Sequence, residues 1–210
     1  AVVARALAQW PAAPDIGWPS WAFENHDAPR ALSRWCASEH REAFARLKAM
    51  LLASLRGNII VYQGEELGLT QVEIPFEHLQ DPEAIANWPL TLARDGARTP
   101  LPWQAQSEQG GFTASSTPWL PLGEENLARA IDRQEADPAS LLNLTRQLLA
   151  LRRDHPALRT GSCEVLLADA TRLVLRREAD GEAVLAVFNL AAEAVDWPQG
   201  LATTGTTIFA

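Results

Sequence analysis

The amino-acid sequence predicts an α/β chain in which a parallel strand-helix-strand unit is followed by a small antiparallel β domain. Three observations carry this prediction. Two short apolar runs, residues 20–24 and 59–62, flank a helical pattern at 35–56 with short connections, which is a parallel crossover. A second helical pattern opens near Asp137 and ends at Asp154-His155-Pro156. Past Gly161 the texture changes to short runs of β-type residues.

The elements follow in order. Residues 1–10 read as a helix already under way, with neither an initiator Met nor a capping residue before it, so the chain is expected to be a piece of a longer one. Pro11, Pro14, Gly17 and Pro19 mark a loop into the strand at 20–24. The helix at 35–56 places Phe44, Leu47, Leu51 and Leu55 on one face and Glu39, Arg41, Glu42 and Lys48 on the other. Gly57 and Asn58 both tolerate a left-handed conformation and stop it. Ile59 to Tyr62 is continuously apolar, which predicts a strand buried on both faces. Residues 63–137 are rich in proline and poor in period, the texture of a functional loop region. Asp137 is the expected cap of the next helix and Pro138 suits its first turn, with Leu141, Leu144, Leu148 and Leu151 forming its apolar face. The β runs are residues 163–168, 172–177 and 183–189, with Asp180-Gly181 turning a hairpin between the last two. The expected domains are 1–157, containing the long loop 63–137, and 158–210, a sheet too small to be stable without its neighbour.

Composition narrows the function. With 210 residues and 47% hydrophobic residues the chain supports a real core in one large or two modest domains. A net charge of -8, with no basic run longer than Arg152-Arg153 or Arg176-Arg177, argues against nucleic acid or an anionic membrane as partner. No stretch approaches the ~20 apolar residues of a membrane span, and no cleavable signal pattern is visible. Cys36 and Cys163 lack metal-ligand spacing and make no disulfide framework, so a reducing, cytoplasmic compartment is expected. Seven of the eight Trp lie in the first 120 residues, where flat faces can fill a core or receive sugar rings.

Both strands of the crossover end in polar residues. Asn25-His26-Asp27 closes the first with an amide, an imidazole and a carboxylate, which makes either a side-chain-capped turn before Pro29 or a site. Gln63-Gly64-Glu65-Glu66 closes the second. Adjacent glutamates at a strand end point in different directions, so Glu65 and Glu66 are expected to shape the loop. Arg98 and Asp95 either pair to pin the long loop or face a ligand. His40, His78 and His155 have no metal-ligating partners in sequence and are expected at the surface or in loops. Asn143-Leu-Thr145 matches a glycosylation pattern but falls inside a predicted helix.

Phe-Glu-Asn-His-Asp at 23–27, Tyr-Gln-Gly-Glu-Glu-Leu-Gly at 62–68 and Arg-Asp-Gly-Ala-Arg-Thr-Pro-Leu-Pro-Trp at 94–103, in this order, resemble the C-terminal half of α-glucosidases and oligo-1,6-glucosidases of the α-amylase family, glycoside hydrolase family 13. Leu-Gln-Asp-Pro at 79–82 and His-Pro-Ala-Leu at 155–158 are similar to the same group. The resemblance implies the last two strands and helices of a (β/α)8 barrel, whose sites gather at the C-terminal strand ends, followed by a small antiparallel β domain.

The resemblance further implies that Asp27 is the third acidic residue of the family, which binds sugar hydroxyls at the point of cleavage and stabilises the oxocarbenium-like transition state. His26 then binds a hydroxyl of the same sugar. Arg94 matches an arginine that in exo-acting members pairs with an upstream aspartate to hold a terminal glucose, and Arg98 is a further candidate for that neighbourhood. The implied partner is a short oligosaccharide or glucoside, with no cofactor and no assigned metal. Family members carry the nucleophile and the general acid upstream of the Asn-His-Asp strand, so the chain is expected to need a missing N-terminal barrel segment and to be inactive alone. The alternative is a relative kept as a scaffold or as a sugar- or partner-binding module.

Overall fold

A computed structural model describes residues 2–10, 17–201 and 206–208; Pro11 and Pro14 of the expected loop lie outside them. Helix α1 (Val2–Ala8) comes first. Strand β1 (Ser20–Ala22) pairs in parallel with β2 (Asn58–Ile60) in the register Ser20 to Asn58, Trp21 to Ile59 and Ala22 to Ile60. Both strands are shorter than the apolar runs that announce them. The expected two-sided burial of the second does not hold at Ile60, which is 51% exposed; β2 has β1 as its one strand partner among the described residues.

The connecting helix is two pieces. Helix α2 (Ala31–Trp35) ends where Cys36 turns extended at φ -134° and ψ 135°, and after a 3-10 turn at 38–40 helix α3 (Arg41–Ser54) begins. The expected single helix therefore starts earlier and ends sooner. Leu55 leaves α3 in an extended conformation. The Arg152 guanidinium closes that end, donating to the carbonyls of Ala53, Leu55 and Gly57 at 2.7, 2.8 and 2.5 Å. Gly57 sits at φ +118°, where a Cβ would lie 2.2 Å from the Pro19 carbonyl oxygen. That close approach lets the Asn58 amide reach the same oxygen at 2.8 Å and start β2 beside β1.

Lys48 corrects the expected polar face of α3. It is 4% exposed and lies with Ala45 and Leu52 on the buried side, where two carboxylates receive it. Residues 63–137 hold helices α4 (Pro82–Asn87), α5 (Glu124–Leu127) and α6 (Ile131–Ala136) between 3-10 turns. Buried Asn126 clamps this segment, accepting from the Thr70 amide at 2.8 Å and donating to the Thr70 carbonyl at 3.0 Å.

Helix α7 (Leu141–Asp154) is capped by Ser140, whose hydroxyl accepts from the Asn143 amide, rather than by Asp137. Asp137 terminates α6 and accepts from the Ala139 amide instead. Leu141, Leu144 and Leu148 pack on Leu32, Ala45 and Ala53, joining α7 to α2 and α3. Helix α8 (Pro156–Arg159) leads into the antiparallel sheet β3 (Ser162–Ala168), β4 (Arg172–Ala179) and β5 (Glu182–Asn189). Asp180 at φ 52° and Gly181 at φ 79° form the β4-β5 hairpin turn, as their types predict. Leu173, Leu175 and Phe188 of this sheet share a core with Leu55. Fully buried Arg177 ties the sheet down, donating to the carbonyls of Ser54, Gly161 and Ser162, and burial pushes its guanidinium down to about 10.

Candidate active site

The site forms where β1 runs out. Asn25 Oδ1 accepts from the Asp27 amide at 2.8 Å, so the capped turn expected for short polar residues does form. The turn directs its imidazole and carboxylate to solvent: the His26 and Asp27 side chains are 65% and 55% exposed, with His26 Nε2 3.4 Å from Asp27 Oδ2.

A 3-10 turn at Arg94–Ala97 brings two arginines to this strand end. Ala93 enters it in the left-handed region at φ 54°, its carbonyl held by the Gln71 side chain. Gly96 packs so tightly that a Cβ would fall 2.1 Å from the Val72 carbonyl oxygen. From this turn, Arg98 donates through Nε to the His26 carbonyl at 2.8 Å and through Nη2 to Asp27 Oδ1 at 3.0 Å. Arg94 Nη1 lies 3.5 Å from the same Oδ1. The four residues singled out in the sequence, His26, Asp27, Arg94 and Arg98, thus come together although 67 or more residues separate Asp27 from the arginines.

Asp95 does not pair with Arg98. Its carboxylate is fully buried, and Oδ2 accepts from the amides of Gln80 and Asp81 at 2.7 and 2.8 Å. Asp81 in turn grips Arg94, with Oδ2 to Nε and Oδ1 to Nη2 both at 2.6 Å. These charge-assisted bonds hold the Asp81 carboxyl below the ordinary carboxylate range, the Arg94 hydrogen bond being the main cause.

Beneath the exposed residues lies a buried ionic network. Glu24, 3% exposed, takes Arg30 Nη1 at 3.1 Å and Lys48 Nζ at 2.6 Å, and Lys48 also reaches Glu65 at 2.9 Å. Arg30 continues to the carbonyls of Gln63 and Ala97, and its guanidinium lies 4.6 Å over the Tyr62 ring. Burial pushes the carboxyls of Glu65 and Glu66 up, against the pull of Lys48 on Glu65. Glu65 is 7% exposed, under the loop rather than in an open site.

Sequence reasoning did not single out Glu24, Arg30, Lys48 or Asp81 as parts of this apparatus. Asp81 carries two sequence signals: it lies in the Leu-Gln-Asp-Pro stretch at 79–82, and it is an acidic residue directly before Pro82 and a helix start, where it does accept from the Glu83 amide as an N-cap. His155 lies on the far side of the fold, its Nδ1 2.5 Å from Glu182. Asn143 is turned inward, donating to three backbone carbonyls before α7. Among the described residues no group of three or more His, Cys, Asp or Glu could hold a metal ion, both cysteines are free, and no helix is long and apolar enough to cross a membrane.

A carboxylate at a strand end, bonded by one guanidinium with a second 3.5 Å away and flanked by an imidazole, marks a candidate polar-ligand site on an α/β scaffold. Residues 3–161 match the family of the α-amylase catalytic domain, and the chain belongs to that family. It is 44% identical over 194 residues to a probable alpha-glucosidase of Rhizobium meliloti, covering 91% of this chain and 35% of the relative. It is 32% identical to a probable oligo-1,6-glucosidase 2 of Bacillus subtilis, covering 87% and 36%. Among solved structures it superposes on the alpha-glucosyl transfer enzyme XgtA with a TM-score of 0.82 at 43% identity, covering 91% of this chain and 35% of that one. On the trehalulose synthase MutB from Pseudomonas mesoacidophila the TM-score is 0.73 at 32% identity, covering 84% and 35%. The chain spans about a third of the length of the curated relatives it matches.

Proposed function

We propose that this chain supplies the substrate-binding and transition-state-stabilising edge of a retaining α-glucosidase that releases terminal α-linked glucose from short oligosaccharides. On this reading β1 and β2 are the last two strands of a (β/α)8 barrel that ends near residue 157, residues 158–210 form its C-terminal β domain, and another segment carries the nucleophile and the general acid. The carrying observation is the state of Asp27. One carboxylate oxygen is held by Arg98 at 3.0 Å with Arg94 at 3.5 Å, while the side chain stays 55% exposed and able to accept from a ligand.

The chemistry follows from that geometry. A carboxylate fixed at a strand end accepts from sugar hydroxyls, and those bonds strengthen as the ring flattens and gains positive charge. His26 donates to or accepts from a hydroxyl of the same ring. Arg94 and Arg98 prevent Asp27 from drifting and present further donors to the sugar. Asp27 neither attacks the anomeric carbon nor protonates the leaving group; those steps need two carboxylates about 5 Å apart on the remaining strands. The isolated chain therefore has no turnover of its own. The similarity to an alpha-glucosyl transfer enzyme favours a second outcome for the same site, delivery of the glucosyl group to a sugar hydroxyl instead of to water.

The test uses the whole protein and an aryl α-glucoside. Asp27→Asn is expected to lower kcat/KM by about a thousandfold, since it removes interactions worth several kcal/mol in the transition state. Turnover within tenfold of the parent protein would refute the role. Product analysis with a sugar acceptor separates hydrolysis from transfer.

A further inference from the structure

We infer that Asp81 is a positioning residue for this site: by holding Arg94 side-on, it keeps Arg94 from closing on Asp27 and leaves Asp27 free to take sugar hydroxyls. The inference rests on the function proposed above and names a residue that tunes it.

The distances carry the argument. Arg94 has three polar nitrogens. Nε and Nη2 are committed to Asp81 at 2.6 Å each, and only Nη1 faces Asp27, at 3.5 Å. A guanidinium beside a carboxylate normally closes to about 2.8 Å in a two-pronged pair. Arg94 makes that pair with Asp81 and not with Asp27. Asp81 is the stronger holder because it is 2% exposed, whereas the Asp27 side chain is 55% exposed and its charge is screened by solvent.

Asp81 is itself fixed from two sides. Its amide donates to buried Asp95 at 2.8 Å, and its Oδ1 accepts from the Glu83 amide at 3.1 Å. Charge gives the same answer as distance. Asp27, Asp81, Arg94 and Arg98 sum to zero with each acid assigned one arginine, Asp81 to Arg94 and Asp27 to Arg98. Without the Asp81 charge, two guanidiniums would share one carboxylate, and Asp27 would meet the substrate already bound on the face that should bind sugar.

Asp81→Asn in the whole protein is expected to lower kcat/KM for an aryl α-glucoside by about 10- to 100-fold, the usual cost of a small misplacement at a reacting centre. The decisive readout is a double-mutant cycle. In an Arg94→Ala background, Asp81→Asn should change kcat/KM by less than about twofold, because its hydrogen-bonded route to the site through Arg94 is gone. A merely structural role would lower both backgrounds equally, and that result would overturn the inference, as would parent-like activity of Asp81→Asn alone. A crystal structure of Asp81→Asn gives a readout without turnover: Arg94 should move onto Asp27 at about 3 Å. An unmoved Arg94 would also overturn the inference. If the parent protein turns over no α-glucoside, the function proposed above fails, while the position of Arg94 in the variant still decides the part played by Asp81.

Discussion

Replacing Lys48 by Met removes the cation that two buried carboxylates share. Lys48 Nζ lies 2.6 Å from Glu24 and 2.9 Å from Glu65, with all three side chains at most 5% exposed. At an effective dielectric of about 20, each contact is worth about 6 kcal/mol of gross attraction. Desolvation of the ammonium cancels much of this in the intact network, but after the substitution both acids remain buried. Glu24 keeps Arg30 at 3.1 Å, whereas among the described residues Glu65 keeps only the Tyr62 amide at 3.1 Å. The expected loss is about 3–5 kcal/mol, the usual cost of breaking a buried ion pair from one side. The pH dependence follows from Glu65. Its folded carboxyl already sits above the ordinary 4.5 through burial, and losing Lys48 raises it further. A raised carboxyl favours the folded state below its unfolded value and loses that contribution as pH rises through the folded value. The Lys48→Met deficit should therefore be largest near neutral pH and narrow as pH falls toward the ordinary 4.5. Native-state hydrogen exchange of the amides at 24–31 and 62–66 in the whole protein measures it. A deficit under about 1 kcal/mol, or one that grows on acidification, would refute the reasoning.

Two further outcomes test the frame around the site. Gly57→Ala forces a Cβ to within 2.2 Å of the Pro19 carbonyl oxygen at φ +118°, so it should destabilise the β1-β2 junction by about 1–3 kcal/mol or more, read as faster exchange of the Asn58 amide. Unchanged exchange would show that the close approach is not required. Asp169 is held at about 2 by the Thr171 amide and the Arg172 side chain, so carboxyl NMR should place its midpoint near that value. Because the folded value is depressed, its contribution is present above the ordinary 3.8 and disappears as pH falls toward about 2. A midpoint at 3.8 or higher would refute the contacts at the start of β4.

The exposed residues of the candidate site were legible in the sequence because chemistry and punctuation coincide there. Asn25, His26 and Asp27 interrupt an apolar strand, and Arg94 to Arg98 interrupt a loop, so each cluster stands out against its neighbours. The hairpin at Asp180-Gly181 was legible because positive φ at both positions admits few residue types. The buried cations beneath them, Arg30 and Lys48, were not legible. A lysine on a helical wheel reads as solvated, and nothing local to Lys48 announces that Glu24 and Glu65 lie against it. The cap of α7 failed for a smaller reason: Asp137 and Ser140 are both competent caps, and the choice depends on where α6 ends. Burial of β2 could not be read either, since an apolar run reports affinity for a neighbour and not which neighbour is there.

The two groups of charges are one device, and Arg30 is the link. Its guanidinium binds Glu24, three residues before Asp27, and also the carbonyl of Ala97, which lies between Arg94 and Arg98 in the sequence. The strand end that carries the acid and the turn that carries its arginines are therefore fixed to the same buried cation. On the function proposed above, the site must hold its donors and acceptors to a fraction of an ångström to favour a flattened sugar over a relaxed one. Loops and short turns alone do not give that precision, and Asp27 sits on the turn after β1 while its arginines sit on the 3-10 turn at 94–97 and its end. The buried network supplies it from below, so substitutions at Arg30 should disturb substrate turnover as well as stability, although Arg30 is 1% exposed and out of reach of a sugar.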